Sequence, residues 1–228
     1  MKLNPAWVVR KKRMKAWAMD NGVALPRGLR MTPYCGSACR DLIRRIQIKA
    51  GLSHKDGKWR SDVKALVTPK QTIQTRAVKV ALSQEGVKEH PFGSNSGPQV
   101  RVFQATTSLG GTGWPWCAAY VCWAYRVVGR RFSGWNTAYV PEYVAVAKAG
   151  KHGLSVVGAS SVIPGDLACF DWQGDGECDH IGIVVTKVKG GAFKCIEGNT
   201  SLGNDSNGGQ VMLRDRNINS VGCFIRVS

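Results

Sequence analysis

The pattern of the chain after residue 160 narrows its fold most. Five short runs rich in β-branched or aromatic residues, 166–171, 180–186, 192–197, 210–214 and 221–227, are separated by turn formers such as Gln173-Gly174-Asp175-Gly176 and Lys189-Gly190-Gly191. Connections this short suit antiparallel hairpins, because a parallel crossover takes roughly a dozen residues or more. Upstream, residues 38–50 and 72–84 carry apolar side chains at helical spacing. Helices first and an antiparallel sheet after predict an α+β fold.

The 228 residues suffice for one good-sized domain, or for one domain with a small module. A hydrophobic fraction of 43% argues against wholesale disorder. No stretch approaches the roughly 18 apolar residues of a spanning helix. Residues 1–13 have no apolar run ahead of their charges, so a secretory signal peptide is not expected there.

The formal charge of +17 is unevenly spread: residues 1–80 hold 19 Lys and Arg against 4 Asp and Glu, and the remainder holds 13 against 11. Such a segment suits an anionic partner, whether nucleic acid, anionic lipid or the phosphates and carboxylates of a cell wall. Pro69 breaks the chain, which predicts a basic helical segment over 1–70 and a near-neutral domain over 71–228. Within the first, Gln47-x3-Gly51-Leu52, then Asp56-Gly57-Lys58-Trp59, then Ala65-Leu66 resembles the core of a small three-helix peptidoglycan-binding module. A basic helical hairpin without a ligand is the alternative. Cys35 and Cys39, with His54 downstream, lack a fourth ligand at finger-like spacing, so two thiols one turn apart are expected rather than a zinc site.

Chemistry concentrates around Gly113-Trp114-Pro115-Trp116-Cys117-Ala118-Ala119-Tyr120-Val121. From Cys117 the sequence is apolar all round, which marks a buried helix, and Pro115 puts Cys117 in its first turn. Unpaired amides and the positive end of the helix dipole favour a thiolate there, and the same amides can hold an oxyanion. A thiolate needs a base, and His180 opens an apolar strand run. Strand alternation places Glu197 and Asn199 on one side of the next run, where either can accept from the imidazole. Trp114 and Trp116 flank the nucleophile and are candidate walls for a substrate; core packing accounts for them equally well. The other domain cysteines, Cys122, Cys169, Cys195 and Cys223, lie in apolar contexts where thiols are inert. Cys178 lies in a turn, and a disulfide from it stays open. Asp171, Asp175 and Asp179 raise the question of a calcium loop, but their spacing is not that of an EF-hand, and a hairpin turn with solvated acids is expected.

Taken together, Gly113-Trp114-Pro115-Trp116-Cys117, Pro164-Gly165-Asp166-Leu167, Asp179-His180-Ile181-Gly182-Ile183-Val184 and Ile196-Glu197-Gly198-Asn199-Thr200 closely resemble the CHAP family of cysteine, histidine-dependent amidohydrolases/peptidases. The resemblance implies a papain-like α+β fold over residues 71–228 and cleavage of an amide bond in peptidoglycan. It implies Cys117 as nucleophile, His180 as base, Glu197 as orienter of the imidazole and Asn199 as an assisting polar partner. No metal or other cofactor is implied. With the basic segment, the chain looks like a bacteriophage endolysin, made in the host cytoplasm and acting as a monomer on peptidoglycan and anionic wall polymers. A virion-associated lysin or a bacterial wall-remodelling hydrolase is the nearest alternative. A nucleic-acid-binding protein is the rival from another class, supported only by the basic segment.

Overall fold

The computed structural model describes residues 5–68, 71–130 and 136–228; Pro69 and residues 1–4 of the basic N-terminal run lie outside them. The chain divides into two compact units, Met1–Lys70 and Gln71–Ser228.

In the first unit, helices α1 (Ala6–Asp20), α2 (Ser37–Lys49) and α3 (Ser61–Val67) enclose a small core. Leu42, Ile43 and Ile46 of α2 meet Met14 and Ala18 of α1 and Val63 and Val67 of α3. The sequence did not mark α1 as a helix, because its buried face includes a lysine. Lys11 is buried, and its ammonium donates to the carbonyls of Arg30 (2.9 Å), Thr32 (3.0 Å) and Tyr34. An ammonium can be buried only with such partners, so Lys11 also folds the following loop around itself. Cys39 is buried on α2, and burial with the neighbouring Cys35 pushes its thiol up to about 12.

The second unit is α+β. Helices α4 (Ile73–Leu82), α5 (Pro98–Gln104), α6 (Cys117–Val127) and α7 (Val140–Lys148) precede strands β1 (Leu154–Val157), β2 (Leu167–Phe170), β3 (His180–Val184), β4 (Ala192–Thr200), β5 (Gln210–Asn217) and β6 (Val221–Val227). The strands form an antiparallel sheet in the order β1-β6-β2-β3-β4-β5. The Thr72 hydroxyl caps α4 by accepting from the Thr75 amide at 3.2 Å, and prolines occupy the first turns of α5 and α7.

Strand alternation gives the sheet two buried faces. Leu167, Cys169, Ile181, Ile183 and Ile196 face the helices. Ala168, Phe170, Val184, Phe193, Cys195 and Phe224 form a second apolar cluster. α6 is the axis of the helical layer: Cys117 to Cys122, Ala124 and Tyr125 are all buried, between α4 and α5 and against β3 and β4. This explains why its sequence is apolar all round. Asp166 of the Pro-Gly-Asp motif has a structural task. Its buried carboxylate accepts a fork from Arg226 (3.1 and 2.8 Å) and caps the Ile163 amide at 2.8 Å.

β4 approaches α6 closely only because Gly198 has no side chain. A Cβ there would lie 2.7 Å from Tyr120 Cβ and 2.8 Å from Trp116 Cζ3, both within the packed core. We expect Gly198→Ala to destabilise the second unit by roughly 1–3 kcal/mol, the usual cost of overpacking. Gly203→Ala, at a position with open space and no special backbone angle, is the control. Equal melting temperatures for the two variants would show that this close approach is not a constraint.

Candidate active site

Cys117 is the first residue of α6, and Trp116 occupies the cap position without a side-chain capping bond, so the first-turn amides carry no side-chain cap. Those amides and the helix dipole surround the thiol with partial positive charge. His180 opens β3, and Glu197 lies on β4 opposite Gly182. Both side chains are fully buried, with His180 Nε2 3.2 Å from Glu197 Oε2. Among the described residues His180 Nδ1 has no hydrogen-bond partner, and Cys117 lies close enough to act on the ring. Burial disfavours charge on the imidazole. The neighbouring Cys117 and the Glu197 carboxylate outweigh it and push His180 up to about 9. Burial likewise disfavours ionised Glu197, but Arg216 and His180 together hold its carboxyl below the usual range. A thiol, an imidazole and a carboxylate so arranged have the chemistry that acyl transfer requires.

The arrangement depends on a missing side chain. A Cβ at Gly182 would fall 2.5 Å from Cys195 Sγ and 2.6 Å from Glu197 Cγ, so only glycine leaves the Glu197 side chain its path towards His180.

Sequence reasoning missed Arg216. It donates to Glu197 through Nε (2.7 Å to Oε1) and Nη2 (2.5 Å to Oε2), and through Nη1 to Asp205 at 2.8 Å. Its guanidinium lies 4.8 Å from the ring centre of Trp172 and 5.2 Å from that of Phe170. The expected strand ended at residue 214, whereas β5 continues to Asn217. The available signal was the alternation Arg214-Asp215-Arg216, which puts both arginines on one face of a strand.

Asn199 stands elsewhere than alternation predicts. The register of β4 shifts between Glu197 and Thr200, and Asn199 has a left-handed backbone with φ 59°. Its Nδ2 donates to the side-chain oxygens of Asn95 (3.2 Å) and Asn207 (3.0 Å), and its Oδ1 accepts from the Gly209 amide (3.2 Å). It therefore ties the α4–α5 loop to the β4–β5 loop and makes no hydrogen bond to the imidazole.

A cavity of about 720 Å³ opens over Cys117, and Trp114, Tyr139, Glu177 and Asp179 are among the residues lining it. Trp114 is anchored there by its indole N–H donating to the Gly110 carbonyl at 2.8 Å. Trp116 is a correction to the sequence reading. It is fully buried, stacks on Phe103 and donates to Glu89 Oε1 at 2.8 Å, so it belongs to the core and not to the cavity wall. Cys178 also lines the cavity with a free thiol. Burial, helped by Cys223, Asp171 and Asp179, pushes it up to about 11, which leaves it protonated and a poor nucleophile.

The candidate calcium residues are not gathered into a metal site. Asp171 accepts from the amides of Gly174 (2.7 Å) and Gly176 (3.0 Å), and Asp175 accepts from Glu177 (2.9 Å). These bonds shape a turn, and among the described residues no three His, Cys, Asp or Glu side chains converge on a metal position.

Comparison with known proteins gives three similarities. Residues 109–199 match the family model of the CHAP domain. The uncharacterized protein YhbB of Bacillus subtilis (strain 168) is 36% identical over 76 residues, which are 33% of this chain and 22% of that protein. The match thus spans about a fifth of the relative's length. The crystal structure of a wild type endolysin, LysIME-EF1, aligns with 68% of this chain and 63% of its own at 14% identity and a TM-score of 0.43. The span matched by the CHAP domain model encloses Cys117, His180, Glu197 and Asn199.

Proposed function

We propose that this protein is a peptidoglycan hydrolase of the endolysin type, which cleaves an amide bond of the bacterial wall through the Cys117 thiolate. The observation that carries the reading is the buried line Cys117–His180–Glu197 beneath an open cavity, within a CHAP domain. In the reaction, Cys117 attacks the amide carbonyl, and the amides at the start of α6 receive the oxyanion. The His180 imidazolium gives its proton to the departing amine, and the neutral ring then takes one from the water that hydrolyses the thioester. Glu197 holds the ring and stabilises its charged form. The Trp114 indole and Tyr139 ring offer flat walls to the glycan or stem peptide. The basic first unit, with Lys12, Arg13, Lys15, Arg40, Arg44 and Lys49 displayed on two helices, would hold anionic wall polymers.

The test is the release of free amino groups from purified peptidoglycan. Cys117→Ala and His180→Ala should each lose activity by on the order of 10⁴-fold, as nucleophile and base act as one unit. New N-terminal alanine would identify an amidase acting next to muramic acid, and any other residue an endopeptidase. Equal release by wild type and Cys117→Ala would overturn the nucleophile.

The pH dependence follows from His180. Its proton is needed for the leaving amine and is held up to about pH 9, so kcat/KM should fall as pH rises through about 9. Stability has the same sign on this side. The folded value lies above the ordinary 6.5, so the contribution is full below 6.5 and lost as pH rises through about 9. Glu197 acts oppositely: its contribution is full above the ordinary carboxylate value and lost as pH falls through its lowered one. Parallel rate and melting profiles from pH 3 to pH 10 would show both limbs.

Removal of residues 1–70 should weaken binding to intact walls in low salt while sparing release from solubilised fragments. Binding by the full chain should weaken as salt rises, because exposed charges are screened. Equal binding with and without residues 1–70 would remove the anchoring role.

A further inference from the structure

We propose that Arg216 is a positioning residue for the Cys117–His180–Glu197 line, fixing the Glu197 carboxylate and moderating the charge it presents to the imidazole. The catalytic part of this inference rests on the hydrolase reading above; the electrostatic part does not.

A carboxylate held only by one imidazole bond is free to rotate about its last torsion. Arg216 removes that freedom with two parallel bonds to the two oxygens, a fork whose geometry matches a carboxylate and which lysine cannot reproduce. The fork is itself fixed from behind. Asp205 accepts from Arg216 Nη1 at 2.8 Å, and Arg214 holds the same Asp205 oxygen at 2.8 Å while donating to Thr200 Oγ1 at 3.0 Å and to the Ser201 carbonyl. The Trp172 and Phe170 rings lie against the guanidinium and leave Arg216 only 9% exposed. An arginine bound this tightly between two carboxylates and two aromatic rings has one place to be.

The second consequence concerns charge. Glu197 Oε2 is shared between His180 Nε2 and Arg216 Nη2. Facing the ring alone, a desolvated carboxylate would hold the imidazolium proton too firmly for transfer to a leaving amine. Facing a bound guanidinium as well, it orients the ring while presenting less net charge. The ionisable groups around this pair are Cys117 from α6, Cys195 beside Glu197 on β4, Arg216 from β5 and Asp205 from the loop between β4 and β5.

The discriminating measurement is the titration of the His180 ring by NMR in wild type, Arg216→Gln, Arg216→Lys and Asp205→Asn. It needs no substrate. Loss of the cation should raise the His180 midpoint by about one pH unit or more. Lysine should keep the midpoint near that of wild type. Loss of the Asp205 anion should move it the other way, downward. A merely structural role would not produce shifts of opposite sign. In wall hydrolysis, Arg216→Lys should lower kcat with KM little changed, because the charge remains and the fork is lost. Should Arg216→Gln fail to fold, the Lys and Asp205→Asn variants still decide the matter. An unshifted midpoint in Asp205→Asn, with full kcat in Arg216→Lys, would overturn the proposal. A wild type inactive on every wall would instead sink the hydrolase reading, while the titrations still judged the electrostatic part.

Discussion

The second unit is organised around a buried carboxylate. Glu197 is fully removed from water, and an isolated charge in that position would cost several kcal/mol, enough to drive it neutral or to unfold the site. It stays ionised because cations meet it from two strands: His180 at the start of β3 and Arg216 on β5. Since β4 lies between those strands, the ionic line runs across the sheet order and the pairing register sets it. A one-residue slip of β4 would send Glu197 to the opposite face and leave both partners unpaired.

Cys117 arrives from the helical layer by a different constraint. α6 is buried on every side, so its position depends on packing and not on a polar face, and the start of that helix is where Cys117 stands. The two missing side chains, at Gly182 and Gly198, let the layers come together: the first makes room for Glu197 and Cys195 within the sheet, and the second lets β4 press against Trp116 and Tyr120. Glycine serves here by close approach rather than by an unusual backbone angle. Trp116, next to the thiol, is pinned by Phe103 and Glu89, so the start of α6 is held by both apolar and polar contacts.

Much of this was legible in the sequence where local rules and tertiary demands agree. The α+β order, α2, α4 and the strands β2 to β6 follow from periodicity and turn chemistry, because their buried positions alternate as those elements require. The sequence was silent where burial involves a polar group or a short element. α1 reads as a basic run because Lys11 faces inward onto carbonyls, a solution no hydrophobic pattern displays. α5, α7 and the edge strand β1 are too short for periodicity to stand out. Strand alternation put Glu197 and Asn199 on one side of the strand; Glu197 reaches His180, whereas at Asn199 the left-handed backbone and shifted register turn the amide towards the loops. Arg216 was invisible because its importance is a pairing across β4 and β5, which no single strand records.

The charge asymmetry of the chain acquires a physical reading in this light. Apart from Lys11, the first unit displays most of its cations outward, where they act at long range and are screened by salt. The second keeps His180, Glu197 and Arg216 buried, and the alternation of sign continues through a chain of bonds to Asp205, whose side chain is 43% exposed. Exposed charge can gather a polyanion but cannot set the proton affinity of a single ring. The fully buried His180–Glu197 pair does the reverse, since each of its members sets the other's ionisation away from water. The two kinds of charge lie in separate compact units, so the exposed set responds to the medium while the buried His180–Glu197 pair keeps its own electrostatic surroundings.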